Sequence, residues 1–426
     1  MQKGKLDYTY LNIGELSQLI REKKVSPTEI VKECLSRIEQ LNPTLNAFIT
    51  VTAEQALQQA ARAETEIKNG NWKGYLHGIP VAVKDMFDTA GIKTTAAFEK
   101  FRDRVPEKDA EVVSKLEAAG AIIVGKTNMR QLAMGTTSVI GYFGSVHNPW
   151  NMDYIAGGSS GGSAAALAAG LCCATVDTDA IGSCRLPASC CGVVGFKATY
   201  GLISTKGILE GEPADEAIIK LGHTAFMCRT VEDAAIVLNA LADSEASQSE
   251  FQSDYHAAIE AAKNPRIRIV KNFAATDEVR TAFSASVETF RSLGYATNEV
   301  EVPFEKASFD VKHIEEDRRT SKETLFKDAD VLLLPTTAET TPTIEEAGKR
   351  EKSKAQNSVA FSPNNTFFCN YFGLPAVSVP CGFDRNGLPL GLQIVGRQLG
   401  EGVVLDMASR FQKATRWHLR HPFVSK

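Results

Sequence analysis

The residues whose types and spacing could do chemistry are concentrated in one glycine- and serine-rich stretch. It runs from Ala156 to Gly170 as AGGSSGGSAAALAAG and passes directly into an alanine-rich segment that favours helix. Glycines allow backbone conformations that other residues avoid. The serines place hydroxyls at a helix N-terminus, where free N–H groups and the helix dipole favour negative charge. The pattern predicts a catalytic loop.

Two other interpretations of this stretch fit its context less well. A flexible linker would separate independent domains, but the alanine segment leads into ATVD from Ala174 to Asp177, which looks like buried core. A phosphate-binding loop would need G-x-x-x-x-G-K-[ST], or G-x-G-x-x-G directly after a strand, and the stretch has neither. Catalysis by serine is therefore favoured.

A serine hydroxyl is a weak nucleophile at neutral pH, so this interpretation requires a base. Lysine can serve when burial holds it neutral, and Lys84 ends the apolar run in HGIPVAVKDMFDTAG. Residues of an α/β sheet commonly enter a site at the carboxyl ends of strands, where Lys84 would lie. On the residues alone, Lys84 is equally well explained as the solvated end of a strand. His147 and His223 stay open as bases, although no Ser/His/Asp pattern accompanies them.

A layered α/β fold would position these side chains. Short apolar runs of strand length alternate with helical patterns, which predicts a core with a mostly buried sheet. The predicted strands are Ile79 to Val83, Ala121 to Val124, Val331 to Leu334, Ala376 to Val379 and Leu392 to Val395.

The first part of the chain is predicted to be helical. The sequence SPTE at Ser26 is a capping box with proline at the first helical position, and helical spacing of apolar residues continues until the Asn-Pro pair at Asn42. A second helix is predicted to start at Thr52, with Gln55 as its capping partner, and to end at Gly70.

Composition limits the classes of function. The chain has 426 residues, of which 43% are hydrophobic and 23% charged, and its net charge of -4 argues against a surface for nucleic acid or anionic membrane. The sequence has no apolar signal core and no run of 18 uncharged apolar residues, so we expect a cytoplasmic protein. The nine cysteines are expected to be reduced and buried. Scattered histidines without H-E-x-x-H predict a mechanism without a metal, and no cofactor is expected.

Longer motifs resemble a known family. The segment GGSSGGSAAALAAGLCCATVDTDAIGSCRLPASCCGVVGFKATYG, with GIPVAVKD before it, is similar to the amidase signature family of serine hydrolases with a Ser-cisSer-Lys triad. The similarity includes KTNMRQLAMGTTS and NYFGLPAVSVPCGFDRNGLPLGLQIVG. It implies an α/β fold with a large mixed β-sheet core covered by helices on both faces. It also implies a single amidase domain over residues 1–426, in which a mainly helical portion, about 1–70, packs on that core.

The same resemblance implies a role for each matching residue. Lys84 would be the base, Ser159 would follow a cis peptide bond and relay the proton, and Ser183 would be the nucleophile that forms the acyl-enzyme. An oxyanion hole would be formed by the backbone N–H groups of Ala180, Ile181, Gly182 and Ser183.

One departure from the family falls in that loop. The family usually has Asp-Thr-Gly-Gly-Ser or Asp-Ile-Gly-Gly-Ser, whereas this chain has DAIGS ending at Ser183, so Ile181 replaces a glycine. Either the backbone at Ile181 needs no positive φ, or the oxyanion hole is reshaped.

Two further departures bear on the substrate. The amidating subunits of glutamyl-tRNA amidotransferase, a subgroup of the family, read roughly T-N-M-D-E-F-A-M-G-S-S-T-E-N-S where this chain reads TNMRQLAMGTTSVIG, and the chain looks short between about Val302 and Lys327. Both differences favour a stand-alone amidase for a small apolar or aryl amide. The expected substrate-binding residues are Met134, Gly135, Val139 and Ile140.

The expected partners are a small-molecule amide substrate and a second copy in a homodimer, with no nucleic acid and no membrane. Two alternatives to the stand-alone amidase remain. The first is the glutamine-hydrolysing A subunit of an aminoacyl-tRNA amidotransferase. The second is a catalytically silent binding or assembly member of the family.

Overall fold

The computed structural model describes residues 8–243, 254–259, 264–353 and 360–422. The α-helices in these ranges are α1 Ile13–Arg21, α2 Pro27–Leu45, α3 Ala53–Lys68, α4 Glu111–Ala118, α5 Gly161–Ala168, α6 Arg185–Cys191, α7 Glu216–Leu221, α8 Val231–Leu241, α9 Tyr255–Ala258, α10 Asp277–Ser292, α11 Ile314–Leu325, α12 Ile344–Lys352, α13 Phe367–Tyr371 and α14 Glu401–Thr415. The strands are β1 Phe48–Val51, β2 Pro80–Lys84, β3 Ile122–Thr127, β4 His147–Asn148, β5 Asn151–Ile155, β6 Ala174–Asp179, β7 Val194–Lys197, β8 His223–Cys228, β9 Ile267–Val270, β10 Thr297–Val300, β11 Val331–Pro335, β12 Ala376–Phe383 and β13 Pro389–Gly396.

The first two helices begin where their capping residues lie. Asn12 and Ser26 each accept a hydrogen bond from the backbone N–H of a glutamate three residues on, and that glutamate bonds back to the cap. Pro27 occupies the first position of α2, which needs no N–H donor. The predicted start of α2 is confirmed.

Two predicted details nearby are wrong. Helix α2 does not stop at Asn42 but includes Pro43 in its last turn, where Asn46 adopts a left-handed conformation and donates its N–H to the Asn42 carbonyl. Thr52 precedes α3 but does not cap it, because its hydroxyl donates to the carbonyl of Ile123 over 2.8 Å instead.

The sheet is large and mixed, as the sequence predicts. Eleven strands of the described chain form one sheet in the order β1-β3-β2-β6-β8-β7-β12-β13-β11-β9-β10. Strand β2 runs parallel to both β3 and β6, whereas β8, β7, β12 and β13 join their neighbours in antiparallel pairs. All five predicted strands are present.

Helices cover both faces of the sheet, and β2 shows this within three residues. The side chains of Val81 and Val83 belong to the core cluster that includes residues of α8, α10 and α14. Ala82 points the opposite way, into the cluster formed with α2, α5 and α6. A strand buried on both faces explains why these runs are continuously apolar.

This topology brings several chain segments to one edge of the sheet. Because β2 and β6 are parallel, their last residues, Lys84 and Asp179, emerge at the same edge. Helix α5 starts at Gly161, just after the serine-rich loop, and α6 starts at Arg185, just after Ser183. The predicted chemistry-bearing residues therefore lie at strand ends or helix starts.

No helix in the described ranges is long and apolar enough to cross a membrane. All nine cysteines are free and buried, as predicted.

Candidate active site

Lys84 is fully buried at the end of β2 and does not reach solvent. Its Nζ donates to the hydroxyl of Ser159 over 2.7 Å and to that of Thr178 over 2.8 Å. The alternative of a solvated strand end is therefore wrong, because Lys84 points into the protein and contacts the serine-rich loop.

Burial changes the acid–base properties of this amine. It lowers the pKa of Lys84 from its ordinary value to about 8, since a buried ammonium loses its hydration. Asp177 and Asp179 oppose this effect through their negative charge, Asp177 most strongly. A substantial fraction of Lys84 is thus neutral near pH 8 and able to accept a proton.

The glycines of the serine-rich loop are required by close packing. The Gly158–Ser159 peptide bond is cis, and Gly157 has a φ of 78°. A Cβ at Gly158 would overlap the backbone nitrogen of Thr137 and lie 2.7 Å from that of Ser138. Only glycine allows the loop to lie this close to the neighbouring chain.

Ser183 lies in the loop between β6 and α6 and is 4% exposed. Its carbonyl accepts a hydrogen bond from the N–H of Ser160 over 3.2 Å, which joins this loop to the one that carries Ser159. Ser159 is completely buried beside Lys84. The structure thus brings Lys84, Ser159 and the Ser183 loop together.

A buried ion pair shapes the Ser183 loop. Asp179 accepts hydrogen bonds from the N–H groups of Gly182 and Cys184 and from two nitrogens of the Arg185 side chain. Burial alone would raise the pKa of Asp179, but the charge and hydrogen bonds of Arg185 outweigh it and hold the pKa below its ordinary range. Arg185 also donates to Asn370 over 2.6 Å. The loop is therefore held by a network with little freedom.

Ile181, in the loop predicted to form the oxyanion hole, is accommodated without strain. The backbone of Gly182 has a positive φ of 128°, whereas that of Ile181 does not have a positive φ. A Cβ at Gly182 would overlap the hydroxyl of Thr366, so glycine is needed there. The Gly182 N–H donates to Asp179 Oδ1 over 2.8 Å. It is therefore occupied and not free for the oxyanion-hole role that the resemblance implied.

The four expected substrate-binding residues differ in their surroundings. Val139 packs against the core cluster that contains α5 and α6, whereas Ile140 is 39% and Met134 62% exposed. Gly135 has a φ of 143° and lies against the side chain of Arg130. Their contact with a substrate stays a prediction.

The segment that precedes Val139 does contact the loop that carries Ser159. The hydroxyl of Ser138 donates to the Ser159 carbonyl over 3.0 Å, and the N–H of Arg130 donates to the same carbonyl over 2.9 Å. Arg130 also pairs with Glu351 of α12. The segment is thus fixed next to the predicted triad.

A cavity of about 750 Å³ opens at the same edge of the sheet. It is lined by polar side chains, among them Glu111, Lys206 and His223, and its lining includes none of the predicted triad. Because His223 pairs with Asp179 across β8 and β6, this cavity lies one strand away from the Ser183 loop. It offers room for a polar group near the site.

The two histidines left open by the sequence are not placed as bases for the loop. His223 hydrogen-bonds through Nδ1 to the carbonyl of Leu221, and burial lowers its pKa well below the ordinary value. His147 hydrogen-bonds through Nδ1 to the carbonyl of Met152. In the described part of the chain, no three His, Cys, Asp or Glu side chains are grouped to hold a metal ion.

Sequence reasoning missed three residues of the site. Thr178 accepts from Lys84, Asp177 is the strongest negative charge acting on it, and Asn370 braces Asp179. The strand register could have indicated Asp177 and Thr178, because β6 would end beside β2. Asn370 begins the motif NYFGLPAVSV, but nothing in that motif indicates that its side chain contacts Asp179.

Comparison with known proteins shows that the chain belongs to the Amidase family, whose profile matches residues 29–312 and 305–405. The A subunit of glutamyl-tRNA(Gln) amidotransferase from Thermosynechococcus vestitus is 34% identical over 96% of this chain and 99% of its own length. The protein of the same name from Nostoc punctiforme is 33% identical over 97% of this chain and 100% of its own length.

Solved structures share the fold over nearly the whole chain. The A subunit of glutamyl-tRNA(Gln) amidotransferase from Thermotoga maritima superposes with a TM-score of 0.78 at 27% identity, covering 99% of each chain. A 6-aminohexanoate cyclic dimer hydrolase with its substrate has a TM-score of 0.85 at 24% identity, covering 98% of this chain and 99% of that one. A peptide amidase from Stenotrophomonas maltophilia has a TM-score of 0.84 at 24% identity, with the same coverage. The predicted fold is confirmed.

These relatives contradict the expected set of partners, which was a small-molecule amide and a possible homodimer without nucleic acid or membrane. The curated relatives are named as the A subunit of an amidotransferase for tRNA(Gln), so each is one part of a larger enzyme. The expectation was wrong because it relied on two local differences, whereas the likeness to these subunits covers 96% of the chain.

Proposed function

This chain is an amide C–N hydrolase of the Amidase family, and we propose that it cleaves a small, apolar or aryl carboxylic amide through an acyl-enzyme on Ser183. The observation that carries the proposal is the 2.7 Å contact between Lys84 Nζ and Ser159 Oγ in a fully buried site. A lysine that is neutral and already bonded to a serine hydroxyl is prepared to remove a proton.

Acylation follows from this arrangement. The Ser183 oxygen attacks the amide carbonyl, its proton passes to Ser159, and the Ser159 proton passes to Lys84. The relay then runs in reverse and protonates the departing amine, which leaves the acyl group on Ser183. Water enters, loses a proton to the same relay and releases the acid.

The tetrahedral intermediate needs donors for its oxyanion. We assign this role to the backbone N–H groups of the loop at Ala180, Ile181 and Ser183, since Gly182 donates to Asp179. The loop keeps a fixed shape because the Asp179–Arg185 pair holds it, so the donors need not reorganise during reaction. Such a donor typically contributes about 3 kcal/mol to transition-state stabilisation.

The choice of substrate rests on the segment beside the triad. Val139 and Ile140 follow Ser138, which bonds to the Ser159 carbonyl, and an apolar wall there gains roughly 0.8 kcal/mol per buried methylene. A substrate carboxylate would lose its hydration against that wall without gaining a partner. Apolar or aryl amides should therefore be better substrates than glutamine.

A second candidate is a glutamine-hydrolysing subunit that works with partner chains. It is supported by the 34% identity to the A subunit of an amidotransferase, and by the polar cavity one strand from the Ser183 loop. This candidate predicts low activity of the isolated chain and a gain with partner subunits. A catalytically silent role is less well supported, because the Lys84–Ser159 contact is intact.

A panel of anilides, aliphatic amides and glutamine tests the proposal. We expect the wild-type enzyme to show a kcat/KM for apolar amides at least tenfold above that for glutamine. The double variant Val139→Glu with Ile140→Asn should reduce activity on apolar amides much more than thermal stability. Glutamine as the best substrate, or an unchanged profile in the double variant, would refute the apolar pocket and favour the second candidate.

A further inference from the structure

The strand register places a second ionisable group beside Lys84. In the parallel pair of β2 and β6, Val83 lies opposite Val176, so Lys84 and Asp177 follow at adjacent positions on neighbouring strands. Both are completely buried. Paired positions on neighbouring strands share a face, so the carboxyl and the amine lie on the same side of the sheet.

The Asp177 carboxyl is incompletely satisfied by the protein. Its Oδ2 accepts a hydrogen bond from the Thr175 hydroxyl over 2.6 Å. Its Oδ1 is buried and has no hydrogen-bond partner among the residues that the structure describes. A buried carboxylate oxygen without a partner costs stability, so this group is poorly explained as a structural anchor.

The other acidic groups near Lys84 are already neutralised. Asp179 pairs with Arg185 through two side-chain bonds, which compensates its charge. Burial raises the pKa of the Cys184 thiol well above its ordinary value, so this thiol is neutral.

The other residues packed around Asp177 in the described part of the chain carry no charge. Burial also raises the pKa of Cys172, which senses the Asp177 charge, and the residue opposite Asp177 on β8 is Ala225. The nearby hydroxyls of Ser163 and Ser160 favour the ionised carboxyl without reaching hydrogen-bond geometry with Oδ1. Asp177 is therefore the uncompensated negative charge that faces Lys84.

Resting on the proposed function, we propose that Asp177 is a positioning residue that supplies the counter-charge for the Lys84 ammonium. When Ser183 attacks, its hydroxyl proton passes to Ser159, the Ser159 proton passes to Nζ, and Lys84 becomes an ammonium at a fully buried position. The Asp177 carboxylate stabilises that ammonium until the proton returns to the leaving amine. No bond to Asp177 forms or breaks.

The sign of the pH effect follows from this role. Burial raises the pKa of Asp177 to about 6, although the positive charge of Lys84 opposes this increase. The Asp177 carboxyl is therefore ionised near pH 8, where Lys84 titrates. The negative charge raises the pKa of Lys84 relative to a site without it. Removing the Asp177 charge makes neutral Lys84 available at lower pH, so the acidic limb of the pH–rate profile moves to lower pH.

The test is the pH dependence of labelling by a fluorophosphonate, which reports activation of the serine without depending on the amide substrate. We expect Asp177→Asn to move the acidic limb down by about one pH unit and to lower the maximal labelling rate roughly tenfold. Asp177→Glu should restore the limb at least partly. Asp233→Asn is the matched control. Asp233 is also fully buried, and its pKa is also raised to about 6, but its Oδ1 accepts the N–H of Ile13 at the start of α1.

The outcomes separate this inference from the proposed function. Wild-type protein that fails to label at Ser183 would refute the proposed function itself. Wild-type labelling with an acidic limb that Asp177→Asn leaves in place would refute only the role of Asp177. If Asp177→Asn does not fold, Thr175→Val removes the one hydroxyl bonded to Oδ2 and should move the limb in the same direction by less, whereas an unmoved limb overturns the inference.

Discussion

At the residue scale, the site depends on a lysine held where its charged form is unfavourable. Lys84, Lys126 and Lys197 are all buried, and burial lowers the pKa of each, to about 8, 8 and 7. Lys197 donates to two backbone carbonyls, which cannot give up a proton. Lys126 donates to the Phe87 carbonyl and the Thr94 hydroxyl and lies beside the Asp85 carboxylate. Lys84 instead contacts the hydroxyl of Ser159, in the loop that is hydrogen-bonded to Ser183, so its reduced proton affinity can be used in a reaction.

This arrangement predicts that Lys84→Met abolishes activity, and that Lys84→Met combined with Asp177→Asn stabilises the protein at pH 7. In the unfolded chain Lys84 titrates near its ordinary pKa of 10.5, but when folded near 8, so the wild type must hold an ammonium at a cost below pH 8. The double variant removes this cost without leaving a buried carboxylate unpaired, and we expect an increase on the order of 2 kcal/mol in the free energy of unfolding at pH 7.

The same experiment contains its own control. As pH rises from 8 to 10.5, the folded wild type loses the ammonium while the unfolded chain keeps it, so wild-type stability increases and the advantage of the double variant decreases. Denaturant unfolding at pH 7 and pH 10 measures both values. A double variant that is less stable than wild type at pH 7 would show that the buried amine is not destabilising.

At the element scale, the loop between β5 and α5 is shaped by how closely it approaches the segment at Thr137. Glycine at position 158 allows a contact that a Cβ would prevent, and Ser138 and Arg130 then bond to the Ser159 carbonyl. The position of the Ser159 hydroxyl therefore depends on chain segments on both sides of the loop.

We expect Gly158→Ala to cost about 1–3 kcal/mol of stability and to reduce labelling roughly a hundredfold, because the loop must move to admit the methyl group. Gly348→Ala in α12 is the matched control, since a Cβ there meets nothing within 4 Å and alanine favours helix. Thermal unfolding and labelling rates measure the two effects. Normal labelling by Gly158→Ala would contradict the required close approach.

The sequence predicts the helices and strands better than it predicts which side chains contact one another. Strand-length apolar runs and capping boxes are local signals, so β2 and α2 could be predicted from a few neighbouring residues. Whether Lys84 is buried depends on α5 and β6, which follow it by many residues, and no local pattern reports this. Asn370 could not be predicted for the same reason.

At the scale of the whole molecule, one sheet joins strands from Phe48 to Gly396. We propose from this that the chain folds as a single domain over residues 1–426. The family resemblance predicted the mixed sheet correctly, because the motifs that carry it lie at the strand ends and turns that define the fold. It could not predict partners, because a peptide amidase and the A subunit of an amidotransferase share this same fold.

The central claim is that Ser183 is the nucleophile, and the most direct measurement is the position of a fluorophosphonate adduct by tandem mass spectrometry. We predict an adduct on the Ser183 oxygen in wild type and in the control Ser286→Ala, which removes a buried α10 hydroxyl that donates to the Ala282 carbonyl, and no adduct in Ser183→Ala. An adduct on Ser159 or Cys184, or more than a tenth of wild-type turnover in Ser183→Ala, would contradict the account.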